Sequence, residues 1–222
     1  MSAGSSTTRP QRLVLHGVSW REYTYMLRAF AERPGFRLTY DRGVLEIMSP
    51  LFEHEIDAEM LGKFVDVLTE ELGLPLVAGR STTFRRRRFQ RGLEPDHSWW
   101  IAHASQMVTK RRVDLRVDPP PDLAVEVDVT RRSLKRMPIY ARLGVPEVWR
   151  LDARGLTFQV LQPNGQYAVQ THSPTFPQVT PADLTTYLAL RAQHDQNEVV
   201  RQFRIFVRRR IGGATGSAAP SP

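Results

Sequence analysis

Apolar residues recur every four positions from about Phe52 to Leu72, at Ile56, Met60, Phe64, Leu68 and Leu72, with Gly73 and Pro75 behind them as stop signals. The spacing predicts the longest helix of the chain. Before it, Tyr23, Met26, Leu27 and Phe30 fall at helical intervals behind "SWRE", where Ser19 and Glu22 have the spacing of a capping box. This is a first helix, ending near Pro34 and Gly35. Between the two, "FRLTYDRGVLEIM" alternates apolar and polar residues on both sides of Asp41 to Gly43, the pattern of a hairpin with Glu46 on its second arm.

Further on, "LPLVAGRSTTFRRRR" and "HSWWIA" have strand character and are separated by the loop "FQRGLEPD". A polar stretch from Ala104 to Asp118 leads to "DLAVEVDV". Its period of two places Leu123, Val125, Val127 and Val129 on a core face, and Asp122, Ala124, Glu126 and Asp128 on an acidic one. Thr130 or Ser133 is placed to cap a helix running to Leu143, Gly144 closes it, and "EVWRLD" is the next strand. Strand, helix and strand in so few residues make a crossover unit with parallel strands. "LTFQVLQPNGQYAVQ" carries the turn dipeptide Asn164-Gly165 of another hairpin, and a helical region from about Pro181 to Arg210 closes the pattern. The order predicts one mixed α/β domain over residues 12–210, between disordered tails at 1–11 and 211–222.

Composition narrows the chemistry. The 222 residues include no cysteine, which excludes disulfides, thiolate nucleophiles and cysteine metal sites. No run approaches the roughly 20 apolar residues that span a bilayer, and the start "MSAGSSTTRPQ" lacks the apolar core of a signal peptide, so a soluble, cytoplasmic protein without membrane contact is expected. The net charge is +8, and of the 31 basic residues only Lys63, Lys110 and Lys135 are lysine, leaving 28 arginines. Arginine forks bind phosphate bidentately and stay charged, which suits a polyanionic partner, although a charge bias alone also arises from base composition of the gene.

Three carboxylates stand out: Asp96 in "LEPD", then Glu126 and Asp128 on one strand face. Magnesium takes oxygen ligands, often one or two carboxylates with water and substrate phosphate, so an aspartate and a strand glutamate suffice as a minimal site. "EPD" read by itself is equally a turn. Glu126 has apolar strand neighbours, and a buried carboxylate without compensation costs several kcal/mol. From the residues alone, a metal ion and an arginine salt bridge serve equally well.

The segments "RLTYDRGVLEIMSPLFEHE", "GLEPDHSWWIA", "PPPDLAVEVDVTRRSLKRMPIYARLGVPEVWRLD" and "NEVVRQFRIFVRRR", in this order, resemble the Uma-two family of restriction-endonuclease-like proteins in the PD-(D/E)XK nuclease superfamily. The similarity covers roughly residues 13 to 210. It implies a restriction-endonuclease-like mixed central sheet flanked by helices, with the N-terminal helix and hairpin added, and an endonuclease site that uses Mg2+ or Mn2+. On the matching motifs, Asp96 corresponds to the PD aspartate, Glu126 to the acidic residue of the (D/E)XK element, and His54 to a histidine at the start of the long helix. Glu46 and Glu94 stand near these motifs as second-tier candidates. The chain departs from the pattern at Asp128, where lysine is expected, and Lys135 and Arg136 are the basic residues placed to substitute. Asp96, Glu126 and Asp128 are then the expected metal ligands.

His54 has an alternative role as a hydrogen-bonding helix-terminal residue. Arg85, Arg86, Arg87 and Arg88 are the most concentrated positive charge and the candidate DNA contacts, against the alternative of a solvated face. Trp99 and Trp100 read as strand packing. The expected function is hydrolysis of DNA phosphodiesters, with a homodimer by analogy to enzymes that cut both strands. Two alternatives remain: a catalytically silent nuclease-like module that binds DNA or a protein, favoured by Asp128, and a metal-dependent hydrolase with another substrate.

Overall fold

The computed structural model describes residues 11–31, 33, 35–128 and 134–215. Strand β1 (Arg12–Leu15) precedes helix α1 (Trp20–Ala29), whose capping box forms as expected: Glu22 N donates to Ser19 Oγ at 3.2 Å and Ser19 N to Glu22 Oε2 at 2.7 Å. Strands β2 (Arg37–Asp41) and β3 (Val44–Met48) form the first hairpin. Its two turn residues, Arg42 and Gly43, have φ of 45° and 93°, the twist that matches the strands of a tight hairpin. Helix α2 (Phe52–Leu72) follows and ends on Gly73, whose φ of 63° lets its N–H return to the carbonyl of Glu70.

Next come β4 (Val77–Ala78), β5 (Phe84–Arg86), β6 (Arg91–Leu93), β7 (His97–Trp100), the short helix α3 (Ala104–Met107) and β8 (Leu123–Asp128). Helix α4 (Met137–Leu143), β9 (Glu147–Asp152), β10 (Gly155–Leu161), β11 (Tyr167–Gln170), α5 (Pro181–Ala189) and α6 (Gln196–Thr215) complete the chain. These strands make two sheets: an antiparallel one of five, ordered β1-β3-β2-β6-β5, and a mixed one of six, ordered β11-β10-β9-β8-β7-β4. The pair β8 and β9 is parallel, with Glu126 opposite Arg150.

Three apolar clusters account for the packing. In the largest, α2 lays Met60, Leu61, Phe64 and Leu68 on Leu123, Val125 and Val127 of β8, with Phe203 of α6 behind. In the second, Ile139, Tyr140 and Leu143 of α4 cover Ala124 and Val148 on the opposite face of the same sheet, joined by Trp100, Phe84 and Leu93. The third seats Tyr23 of α1 on Leu38, Tyr40, Leu45 and Ile47. Trp99 and Trp100 point to opposite faces and are both buried, as their strand reading anticipated. Helix α6 is tied to α2 by Arg204 and Arg208, which meet Glu71 at 2.7 and 2.8 Å and hold its carboxyl down to about 2.

Several expectations are corrected. The loop "FQRGLEPD" contains strand β6, which pairs with β2 and β5, and the flanking strand segments belong to different sheets. Within "RRRR", Arg85 and Arg86 are strand while Arg87 and Arg88 begin a single 3-10 turn ending at Phe89. Helix α4 begins only at Met137, with Arg136 at its N-cap and no side-chain cap; Thr130, Ser133 and Val129 lie outside the described residues. Pro138 in the first turn favours this late start. Helix α6 continues to Thr215, into the stretch expected as a tail, while 1–10 and 216–222 lie outside the described residues.

Gly92 sits where β6 passes beneath Tyr23. A Cβ there would collide with the Tyr23 hydroxyl and approach Arg85 Cβ at 2.9 Å. Gly92→Ala is therefore expected to cost about 1–3 kcal/mol, seen in thermal unfolding as a drop of roughly 2–4 °C per kcal/mol; an unchanged melting temperature would show that this packing yields freely.

Candidate active site at the junction of the two sheets

Leaving β6, the chain crosses from the five-stranded to the six-stranded sheet through Glu94, Pro95 and Asp96 before entering β7. The LEPD motif is thus the link between the sheets. Asp96 is anchored to the neighbouring strand twice: its N–H donates to the carbonyl of Val125 at 3.2 Å, and its Oδ2 accepts from Val127 N at 2.8 Å. The second bond falls on the residue between Glu126 and Asp128, so strand pairing brings Asp96 to the acidic end of β8.

Glu126 is 2% exposed. The Nε of Arg136 lies 2.9 Å from its Oε1, and the Tyr140 hydroxyl donates to its Oε2 at 2.7 Å. The same guanidinium donates to Thr39 Oγ1 at 2.8 Å and to the carbonyl of Glu94 at 2.5 Å. One arginine therefore ties β8, the sheet-crossing link and the central strand of the other sheet. Burial pulls the Arg136 pKa down, but the charges of Glu126 and Asp96 and the contact with Tyr140 outweigh it and hold the guanidinium protonated. Burial first, then the charge of Glu126, drives the Tyr140 hydroxyl far above its ordinary range, so it stays a donor.

Of the expected site residues, the structure gathers Asp96, Glu126 and Arg136. Lys135 is exposed and lines a concavity of about 460 Å³ together with Glu126, Asp128, Arg136 and Arg150. Asp128 meets Arg150 at 3.2 Å, and Arg150 also reaches Asp152 at 3.3 Å. The face of β8 expected to be simply acidic is mostly covered: Ala124 is in the α4 core and Asp122 accepts from the backbone of Ile101 at 2.7 Å and His103 at 3.1 Å. A parallel strand sandwiched by helices has no open face.

Glu94 accepts from Leu38 N at 3.2 Å and Thr83 Oγ1 at 2.7 Å, bonds that lower its pKa while burial, the larger effect, raises it. Glu46 is buried and lies opposite Thr39 in the β2–β3 register, so the two side chains share the face from which Thr39 meets Arg136. His54 is buried in the first turn of α2; the adjacent Glu55 pairs with Arg37 at 3.3 Å, and burial, with the charge of Asp96, raises its carboxyl. Arg85 to Arg88 lie apart, on β5 and the turn after it.

Sequence reasoning missed Tyr140, Thr39 and Arg150. Tyr140 had a signal, since it stands four residues after Arg136 on one helix face; Thr39 had none, because it comes from a distant strand.

Among the described residues, no group of three or more His, Asp and Glu side chains forms a metal cage. The donor chemistry nevertheless suits a hard divalent ion in the sparing mode of magnesium. Two carboxylates stand close along one strand, since Asp96 bonds the amide of Val127, the residue after Glu126.

Fold and site together define a mixed α/β domain with a carboxylate and cation centre at a sheet junction. Residues 20–193 match the model of the Uma2 (Uma-two) family, described as "Putative restriction endonuclease", and the chain belongs to that family. A crystal structure of a "putative nuclease belonging to DUF820" from Anabaena variabilis is similar at 17% identity and a TM-score of 0.48, over 68% of this chain and 90% of that one. No curated protein matches. Among the described residues no helix is long and apolar enough to cross a membrane.

Removing one partner of a buried ion pair costs about 3–5 kcal/mol, because the other charge is left uncompensated. Arg136→Met is expected to lose that much in urea unfolding, whereas Glu126→Gln with Arg136→Met should lose less than the sum of the single changes. Additive losses would mean that the two side chains do not depend on each other.

Proposed function

We propose that the chain is an endonuclease that hydrolyses DNA phosphodiester bonds with Mg2+ or Mn2+. The supporting observation is the buried Glu126 to Arg136 pair with Asp96 bonded to the next amide of the same strand, in a chain of a family described as restriction endonucleases. Asp96 and Glu126 would hold the ion, which when bound polarises a phosphoryl oxygen and lowers the pKa of its water. Asp96 is oriented for this by the Val127 amide. Arg136 is fixed by Thr39 and the Glu94 carbonyl, so its charge is set in place before a phosphate arrives. Lys135, exposed at the rim of the same concavity, is free to meet the phosphate that carries the developing charge. Asp128, Glu46, Glu94 and His54 shape the field around these groups, and Arg85 to Arg88 would contact the DNA backbone.

The second reading is a silent nuclease-like module that binds DNA or a protein. It is favoured by the Asp128 to Arg150 contact and by the engagement of both Glu126 oxygens by Arg136 and Tyr140. Under that reading the carboxylates serve as structural ion pairs.

Incubation of purified protein with plasmid, with and without magnesium or manganese, separates the two. Metal-dependent nicking is expected, reduced about a hundredfold or more in Asp96→Asn. Magnesium should also raise the melting temperature of the wild type by mass action, and Asp96→Asn should remove that shift. Lys135→Ala is expected to slow cleavage while leaving the shift intact. Absence of both cleavage and shift in the wild type would leave the silent module as the account.

A further inference from the structure

The outer edge of the five-stranded sheet carries a second charged feature. Strand β5 pairs only with β6 there, and its Arg85 and Arg86, with Arg87, face the segment from Arg112 to Arg116 across a concavity of about 470 Å³. Trp20 and Thr24 of α1 form the third wall. The facing segment is braced from below: Asp118 accepts from Lys110 Nζ at 2.6 Å and from Asp114 N at 2.8 Å.

The lining has one carboxylate, Asp114, and it is taken. Arg116 closes on it at 2.5 Å and holds its carboxyl down to about 2. Among the described residues, Arg85, Arg86, Arg87 and Arg112 form no ion pair, whereas Arg204 and Arg208 on α6 and Arg150 on β9 are clasped by carboxylates. Arg86 Nε is shielded from solvent and has no hydrogen-bond partner. Its pKa is lowered by burial and then by the like charge of Arg88. An anion with several acceptor oxygens would satisfy these forks together.

The hollow lies on the sheet that also carries Thr39, the partner of Arg136. The buried Tyr23 hydroxyl is raised chiefly by burial and then by the charge of Glu94, while Arg85 and Arg136 draw it down, and it packs over Gly92 beside Arg85. Gly92 leaves room for this contact.

We propose that Arg85, Arg86, Arg87 and Arg112 form a phosphate-binding groove, separate from the carboxylate centre, that grips a nucleic-acid backbone without reading its bases. The polymer class rests on the nuclease reading; the phosphate chemistry rests on the arginines. Such contacts position a duplex and carry no sequence information. Arg112 joins the groove only through the fold, since it stands far from Arg85 in the chain.

The test measures binding of the full chain to two fluorescent duplexes of unrelated sequence in EDTA, across about 50–200 mM salt, the range over which phosphate contacts show most clearly. Each phosphate contact contributes about 0.9 to the slope of log affinity against log salt, so Arg86→Gln with Arg112→Gln should flatten it by roughly 2 for both sequences. Arg208→Gln, on a residue already neutralised by Glu71, should leave it unchanged, and melting curves confirm that the variants fold. An unaltered slope in the double variant overturns the groove, as does a loss confined to one sequence. Arginine-dependent binding of polyglutamate without binding of duplex also overturns it, in favour of an acidic protein. Because no metal is present, the two proposals fail separately: an intact salt slope with uncut plasmid leaves the groove and removes the nuclease, and the converse leaves the nuclease alone.

Discussion

A carboxylate inside a strand that is covered on both faces must have a cation beside it, and at Glu126 that cation is Arg136. The pair is 2.9 Å apart and almost wholly withdrawn from water, where two charges cost more to desolvate than their attraction returns unless further bonds complete them. Here Tyr140 completes the glutamate, while Thr39 and the carbonyl of Glu94 complete the arginine. Each of those partners comes from a different element. Satisfying one buried charge thereby sets where α4, the crossing link and the five-stranded sheet stand relative to β8.

The position of Asp96 follows from the same arrangement. A chain leaving one sheet for another must satisfy its backbone groups in the gap, and Asp96 does so by bonding main chain to main chain and side chain to main chain along β8. The carboxylate that secures the crossing is also one of the two proposed to hold the ion. The concavity beside Glu126 is lined by Lys135 and Arg150 as well.

Charge is distributed unevenly over the molecule. On α6, Arg204 and Arg208 are matched to glutamates of α2 and act as fasteners. At the β5 edge, among the described residues, Arg85, Arg86 and Arg87 form no ion pair and line one hollow. Composition alone treats these groups alike, since a net charge of +8 says nothing about which guanidiniums have partners. The distinction separates arginine as structural mortar from arginine available to an outside anion.

Local rules determined much of this protein in advance. The capping box at Ser19 and Glu22, the four-residue apolar spacing from Ile56 to Leu72, the glycine stops at Gly73 and Gly144 and the hairpin at Asn164-Gly165 depend on neighbours within a few residues, so they were legible in the sequence. So was the need for a cation beside Glu126. Which cation could not be read, because a metal ion and an arginine answer the same electrostatic demand. Tertiary structure decided it for this state by starting α4 at Met137, which leaves Arg136 at the helix entrance against Glu126 and sends Asp128 to Arg150. It also decided that Thr39 belongs to the site and that Arg112 faces Arg85. Those are contacts between residues far apart in the chain, fixed by the packing of two sheets, and no local pattern carries them.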